Sequence, residues 1–185
     1  MSDVLYHYTS AMQLPIILHA GFLKLTENNL IEPISKEDTK PKPESELHKP
    51  VVWLTRSESP RGNGLEGASV YKGEIRIVVN KRSHYDPWLL WSRNNRIEKK
   101  WAKKLESVGN PNNWYVSEQI IFLNEKELVR IENTVSGEVL IDVNEGIRQC
   151  SVTVFKPQGF SESSFAKYLS DKALSDGEVV IFELK

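Results

Sequence analysis

The stretch that most constrains the fold is the opening one, Leu5-Tyr6-His7-Tyr8-Thr9-Ser10, followed by Leu14-Pro15-Ile16-Ile17-Leu18 and Gly21-Phe22-Leu23. A short apolar strand ends on a histidine, and a tyrosine and a hydroxyl residue follow. Ser10 and Gln13 stand at capping-box spacing, where each side chain can bond the other residue's backbone N–H. Pro15 lacks an N–H and clashes deep inside a helix, so it fits the first position of a fresh helical turn. The spacing predicts a brief turn over 10–14 and a helix over 15–20. Gly21 suits the C′ stop, and Phe22-Leu23-Lys24 returns as a short strand. His7 is thereby placed at a strand end, facing whatever binds beside the helix. Taken singly, a histidine there is usually a satisfied structural residue.

Downstream, residues 25–50 are polar, rich in Glu and Lys, and broken by Pro33, Pro41, Pro43 and Pro50. They read as a long mobile connection. Val51–Thr55 is a short run with β-branched residues, a buried strand. A polar loop from Arg56 to Gly64 follows. Ile75, Ile77 and Val79 alternate on one face of a further strand over 74–79. Residues 86–106 read as a helix with an apolar side (Trp88, Leu89, Leu90, Ile97, Trp101, Leu105) and a basic side. Val108-Gly109-Asn110-Pro111 marks a loop. Strands are expected over 114–122, 128–131, 139–143, 151–155 and 179–184, with a helix over 161–174. The fold class is α+β, a mostly antiparallel core with peripheral helices.

With 185 residues the chain suits a single domain, 1–185, and an apolar share of 39% with five tryptophans supplies a core. A net charge of −1 argues against a generally basic nucleic-acid binder, though not against a local patch. Cys150 is the sole cysteine, which excludes an internal disulfide and suits a reducing, cytoplasmic setting. No basic leader or long apolar run stands at the start, so neither a signal peptide nor a membrane span is expected. The four histidines are too far apart for metal-ligand spacing, and no metal is expected. Neither a dinucleotide-binding glycine pattern nor a Walker motif is present.

The opening stretch, His7-Tyr8-Thr9 with the Leu-Pro-Ile-Ile-Leu helix and the Gly-Phe-Leu turn, resembles the ADP-ribosyltransferase superfamily of the His–Tyr–Glu type. It is most similar to the DarT-type enzymes that modify single-stranded DNA. Val52-Trp53-Leu54-Thr55 resembles the family's middle strand. Ser117-Glu118-Gln119-Ile120-Ile121 resembles the late strand that opens on a glutamate. The loop at 107–113 lies where the superfamily places its substrate-recognition loop. The resemblance spans about residues 4–132, leaving 136–185 as a C-terminal extension. It implies split antiparallel sheets and NAD as co-substrate, with nicotinamide released and ADP-ribose passed to a nucleic acid or protein acceptor.

The resemblance also implies residue roles. Cleaving the nicotinamide–ribose bond develops positive charge on the ribose, which a fixed carboxylate stabilises; that role falls to Glu118. Read alone, Glu118 is a strand-edge glutamate of little energetic weight. His7 would bond a ribose hydroxyl, the backbone of Tyr8 the nicotinamide amide, and Thr9 and Thr55 would lie beside them. Trp53, where many relatives carry tyrosine, or Tyr71 would give the nicotinamide a flat wall, although core packing is the simpler role for Trp53. Arg56 would meet the pyrophosphate or the acceptor. Val116 stands two residues before Glu118, where relatives that modify arginine carry Gln or Glu, so arginine is a poor acceptor. Lys100 and Lys104 on the basic helix face, with Trp114 and Tyr115, would hold a nucleic acid by phosphate contact and base stacking; most such faces are simply solvated. Glu66 and Glu74 are the fallback carboxylates. An RNA 2′-phosphotransferase-like enzyme and a non-catalytic nucleotide- or protein-binding module are the competing readings on the same fold.

Overall fold

The computed structural model describes residues 3–25, 50–65, 71–95, 97, 99–145, 149–154 and 178–183. Residues 26–49 of the connection expected over 25–50, Glu66 and the expected helix over 161–174 lie outside the described residues.

The chain is α+β. Its centre is a seven-stranded sheet of antiparallel neighbours built from β1 (Val4–Thr9), β3 (Val52–Thr55), β4 (Ile75–Asn80), β5 (Asp86–Pro87), β6 (Trp114–Ser117), β8 (Leu128–Asn133) and β9 (Val139–Asp142). Their spatial order is β5-β6-β3-β1-β4-β8-β9. Two small sheets accompany it: β2 (Phe22–Leu23) with β7 (Ile121–Phe122), and β10 (Gln149–Val154) with β11 (Glu178–Glu183). The helices are α1 (Leu14–Ala20), α2 (Trp88–Asn94) and α3 (Lys99–Glu106).

Period-two alternation sorts the sheet's side chains onto two faces. One face carries Leu5, Leu54, Ile75, Ile77, Val79 and Ile131, which pack under Leu14 and Leu18 of α1 and against Leu23 and Ile121. The other carries Val51, Trp114 and Val116 under Trp88 and Trp91 of α2, with Trp53 and Leu105 against them. Tyr6, Tyr8 and Val78 continue that second face beyond β1.

Several elements differ from expectation. The opening turn has no side-chain cap on α1; Gln13 N–H donates to the Ser10 carbonyl instead, and the Glu74 carboxylate takes the Ala11 N–H. Gly21 does end α1 in the left-handed region, φ 75°, with its N–H on the Ile17 carbonyl. The single helix expected over 86–106 is two: α2 ends at Asn94, where the Asn95 side-chain amide donates to the Trp91 carbonyl, and α3 begins at Lys99. The strand expected over 114–122 is broken after Ser117. There the Ser117 hydroxyl donates to the Gln119 carbonyl and accepts from the Gln119 N–H, a local bond that competes with the ladder. Glu118 therefore sits in the turn between β6 and β7 rather than opening a strand.

Ile77 is fully buried in the central strand β4. Ile77→Ala is expected to cost about 2–5 kcal/mol, the range for emptying a core aliphatic site. Denaturant unfolding with an unchanged m-value checks it; a cost under about 1 kcal/mol would mean the site collapses around the smaller side chain.

Candidate functional site

The cavity lies where β1 and β3, neighbours inside the central sheet, stop pairing. β1 is paired with β4 along its whole length, Val4↔Asn80 to Thr9↔Ile75. With β3 it pairs at a single position, Tyr6↔Thr55. From His7 onward β1 and β3 part. The gap runs through the plane of the sheet, so residues of both faces line it: His7, Thr9 and Leu54 from one, Tyr8, Trp53, Thr55 and Trp114 from the other. The cavity measures about 460 Å³, within the range of small-molecule sites.

His7 holds the gap in shape. Its Nδ1 lies 2.9 Å from the Trp53 carbonyl oxygen. A carbonyl only accepts, so the Nδ1 atom carries the proton and the Nε2 atom of the neutral ring is left as an acceptor. Burial pushes the imidazole below its usual range, the Trp53 carbonyl opposes that, and the positive charge of Lys72 adds to it. The ring is thus neutral at pH 7 and suited to receive a hydroxyl hydrogen.

Tyr6 and Tyr8 anchor the segment after β3. The Tyr6 hydroxyl donates to the Glu58 carboxylate at 2.9 Å, and the Tyr8 hydroxyl to the Ser57 and Glu58 carbonyls at 3.0 and 2.5 Å. Burial raises the Tyr8 phenol to about 12, so it keeps donating at any physiological pH. Arg76 also donates to the Glu58 carbonyl and pairs with Glu132. The anchored segment brings Asn63, Gly64 and Leu65 over the cavity.

The other walls are apolar (Met12, Ile17, Leu23, Leu65, Leu105), with Ser10, Gln13, Thr55 and Asn63 as polar groups among them. Lys24 and Lys72 are the charged lining residues, and no Asp or Glu lines the cavity among the described residues. A cavity with two cations and no described anion favours an anionic ligand. Sequence reasoning missed Ser10, Gln13, Lys24, Asn63 and Lys72. They lie on four separate segments, and nothing in their local patterns signals that they converge.

Of the residues singled out in the sequence, His7, Tyr8, Thr9, Trp53, Thr55 and Trp114 meet in the cavity lining. Glu118 does not line it. Its carboxylate accepts the Trp91 indole N–H at 2.8 Å, on the α2 side of β6. Glu74 holds the Ala11 N–H. Arg56 lies over the Tyr115 ring at 5.0 Å, with Lys81 at 5.5 Å from the same ring, so Tyr115 is buried beneath cations and gives no stacking surface. Tyr71 is exposed and outside the lining. Lys100 and Lys104 are exposed on α3, the helix whose Leu105 reaches the cavity. Trp53 does both things expected of it, packing on Trp88 with centroids 4.8 Å apart while lining the cavity.

Among the described residues no group of His, Cys, Asp and Glu is arranged to hold a metal, and no helix is long and apolar enough to cross a membrane. Comparison with known protein families, curated proteins and solved structures returned no match for this chain.

Two predictions follow from this geometry. The His7 imidazole takes up a proton less readily folded than unfolded. Between the unfolded value of about 6.5 and the lower folded one, the unfolded chain therefore binds more protons, and stability falls as pH falls. His7→Gln should flatten the stability profile between about pH 7 and 5, read by urea midpoints; an unchanged slope would mean other groups set it. Glu118→Ala strands the buried Trp91 N–H and should cost about 1–3 kcal/mol, whereas Glu118→Gln keeps an accepting oxygen and should cost much less. Melting curves of the two variants separate them.

Proposed function

We propose that the cavity between β1 and β3 binds NAD and that the chain is an ADP-ribosyltransferase with an ADP-ribosyltransferase-like fold. The observation that carries this reading is the parting of β1 from β3 at His7, with a bare imidazole nitrogen, a tryptophan wall and two lysines around one space. His7 Nε2 accepts a ribose hydroxyl. Trp53 gives the nicotinamide ring a flat wall, while Tyr8 and Thr9, unpaired with β3, offer backbone and hydroxyl groups beside it. Lys24 and Lys72 offset the pyrophosphate charge. In the reaction the nicotinamide–ribose bond breaks, a bond from the acceptor to the same ribose carbon forms, and the acceptor's proton leaves with nicotinamide as the other product. The acceptor is a nucleic acid, single-stranded where the DarT likeness holds, or a protein. α3, whose Leu105 reaches the cavity, carries Lys100 and Lys104 exposed, which supports the nucleic acid. A cytoplasmic, reducing setting goes with the lone cysteine.

The chemistry also needs a carboxylate at the ribose. Glu118 is the candidate, and in that role it exchanges the Trp91 indole for the ribose. Its present bond to Trp91 and the absence of a described carboxylate from the lining favour the second reading, a non-catalytic module that binds a dinucleotide or ADP-ribose.

Two measurements on one preparation decide between them: calorimetric titration with NAD and with ADP-ribose, and nicotinamide release in the presence of nucleic-acid and protein acceptors. The expected result is NAD binding in the wild type and loss of most of it in His7→Ala. Glu118→Gln should bind NAD within several-fold of wild type yet transfer about a hundredfold more slowly or worse, the scale for removing one electrostatic stabiliser. Binding without nicotinamide release from any acceptor establishes the module reading. Absence of NAD binding removes the transferase reading, and absence of ADP-ribose binding as well removes both.

A further inference from the structure

Three tryptophans are buried on the helix-covered face of the sheet, and their indole N–H groups fare differently. Trp88 donates to the Glu106 carboxylate at 3.2 Å and Trp91 to the Glu118 carboxylate at 2.8 Å. Trp114 is 4% exposed, and its indole N–H has no hydrogen-bond partner among the described residues. It is also the one of the three that lines the cavity. The Trp53 ring stands at 90° to it with centroids 6.2 Å apart, offering at best a π face in place of a lone pair. An orphaned buried donor is costly to a folded protein, so its persistence calls for an account.

The surroundings of Trp114 supply one. Two segments meet over its ring. From the stretch after β3, Gly62 accepts the Asn110 N–H at 2.9 Å, and Asn63 bridges to Gly109. The approach is so close that a Cβ on Gly109 would lie 2.4 Å from the Gly62 carbonyl oxygen and 2.5 Å from Cζ2 of Trp114. These two segments cover the indole edge, and Asn63 and Gly64 of the first also line the cavity.

We propose that Trp114 is a ligand-binding residue: its indole N–H donates to an oxygen acceptor of the nucleotide when the 62–64 and 109–110 segments part to admit it. This rests on reading the cavity as an NAD site. The donor is held without a partner in the closed arrangement, so the bond it forms on binding displaces none of its own, and it offsets the Asn110 N–H bond to Gly62 that is lost when the segments part.

Trp114→Phe keeps an aromatic ring and removes the donor. A purely structural Trp114 and a ligand-binding one then differ in two readouts. The expected result is roughly tenfold weaker binding of NAD and ADP-ribose by calorimetry, the size of one hydrogen bond of about 1.4 kcal/mol. The ligand-free melting temperature should fall by less than for Trp88→Phe, which loses a satisfied N–H. Gly109→Ala, which forces the Gly62 contact apart, should speed NAD association. A third measurement works on the wild type alone. Of the five tryptophan indole N–H signals of the nitrogen-15-labelled protein, one should move downfield at saturating NAD and be missing from Trp114→Phe. Equal affinities in wild type and Trp114→Phe, or no indole signal moving when NAD is bound, would overturn the proposal and leave the NAD site standing. If the wild type binds neither NAD nor ADP-ribose, the site reading falls and this proposal falls with it.

Discussion

The structure depends on a hydrogen bond that takes the place of a strand ladder. After Tyr6↔Thr55, β1 and β3 stop pairing, and the His7 ring enters the gap with its Nδ1 on the Trp53 carbonyl. A sheet parted in its interior exposes backbone polar groups, which are costly when buried without partners. His7 settles one of them directly. β1 can leave β3 at all because its other edge is fully committed to β4. The opening is therefore held between two ladders, β1–β4 on one side and β3–β6 on the other, with the segment after β3 laid over it.

That arrangement gives the second face of the sheet two duties. Beneath α2 it is a core of tryptophans, and beside β1 it is the wall of the cavity. Trp53 stands at the boundary and serves both. The carboxylates of this region are spent on buried indoles, Glu106 on Trp88 and Glu118 on Trp91. Meanwhile the described cavity lining holds lysines and neutral polar groups. Among the described residues the separation leaves two lysines and no carboxylate in the lining, and one buried indole, Trp114, without an acceptor.

Much of the architecture was legible in the sequence because it rests on local rules. The β1–α1–β2 opening follows from Pro15, Gly21 and the apolar spacing. The central strands β3, β4 and β8 follow from β-branched runs and alternation, and the α+β class follows from their order. The breaks were not legible. α2 ends beside one amide, Asn95, and β6 ends on one hydroxyl, Ser117, each bonding a nearby backbone group. Such bonds add only about 1 kcal/mol each, too little to register against the periodicity of a long apolar pattern.

For the site, the sequence by itself singled out His7, Tyr8, Thr9, Trp53 and Thr55, which lie on two strands, β1 and β3, that short apolar and β-branched runs mark locally. Only the tertiary structure decided that Ser10, Gln13, Lys24, Asn63 and Lys72 join them, and that Glu118 faces Trp91 while Arg56 lies on Tyr115. The physical reason is register. A one-residue change in pairing reverses the face of every side chain in a strand. The single Tyr6↔Thr55 pair that opens the cavity is fixed by contacts between segments far apart in the chain, of which no local pattern carries a trace.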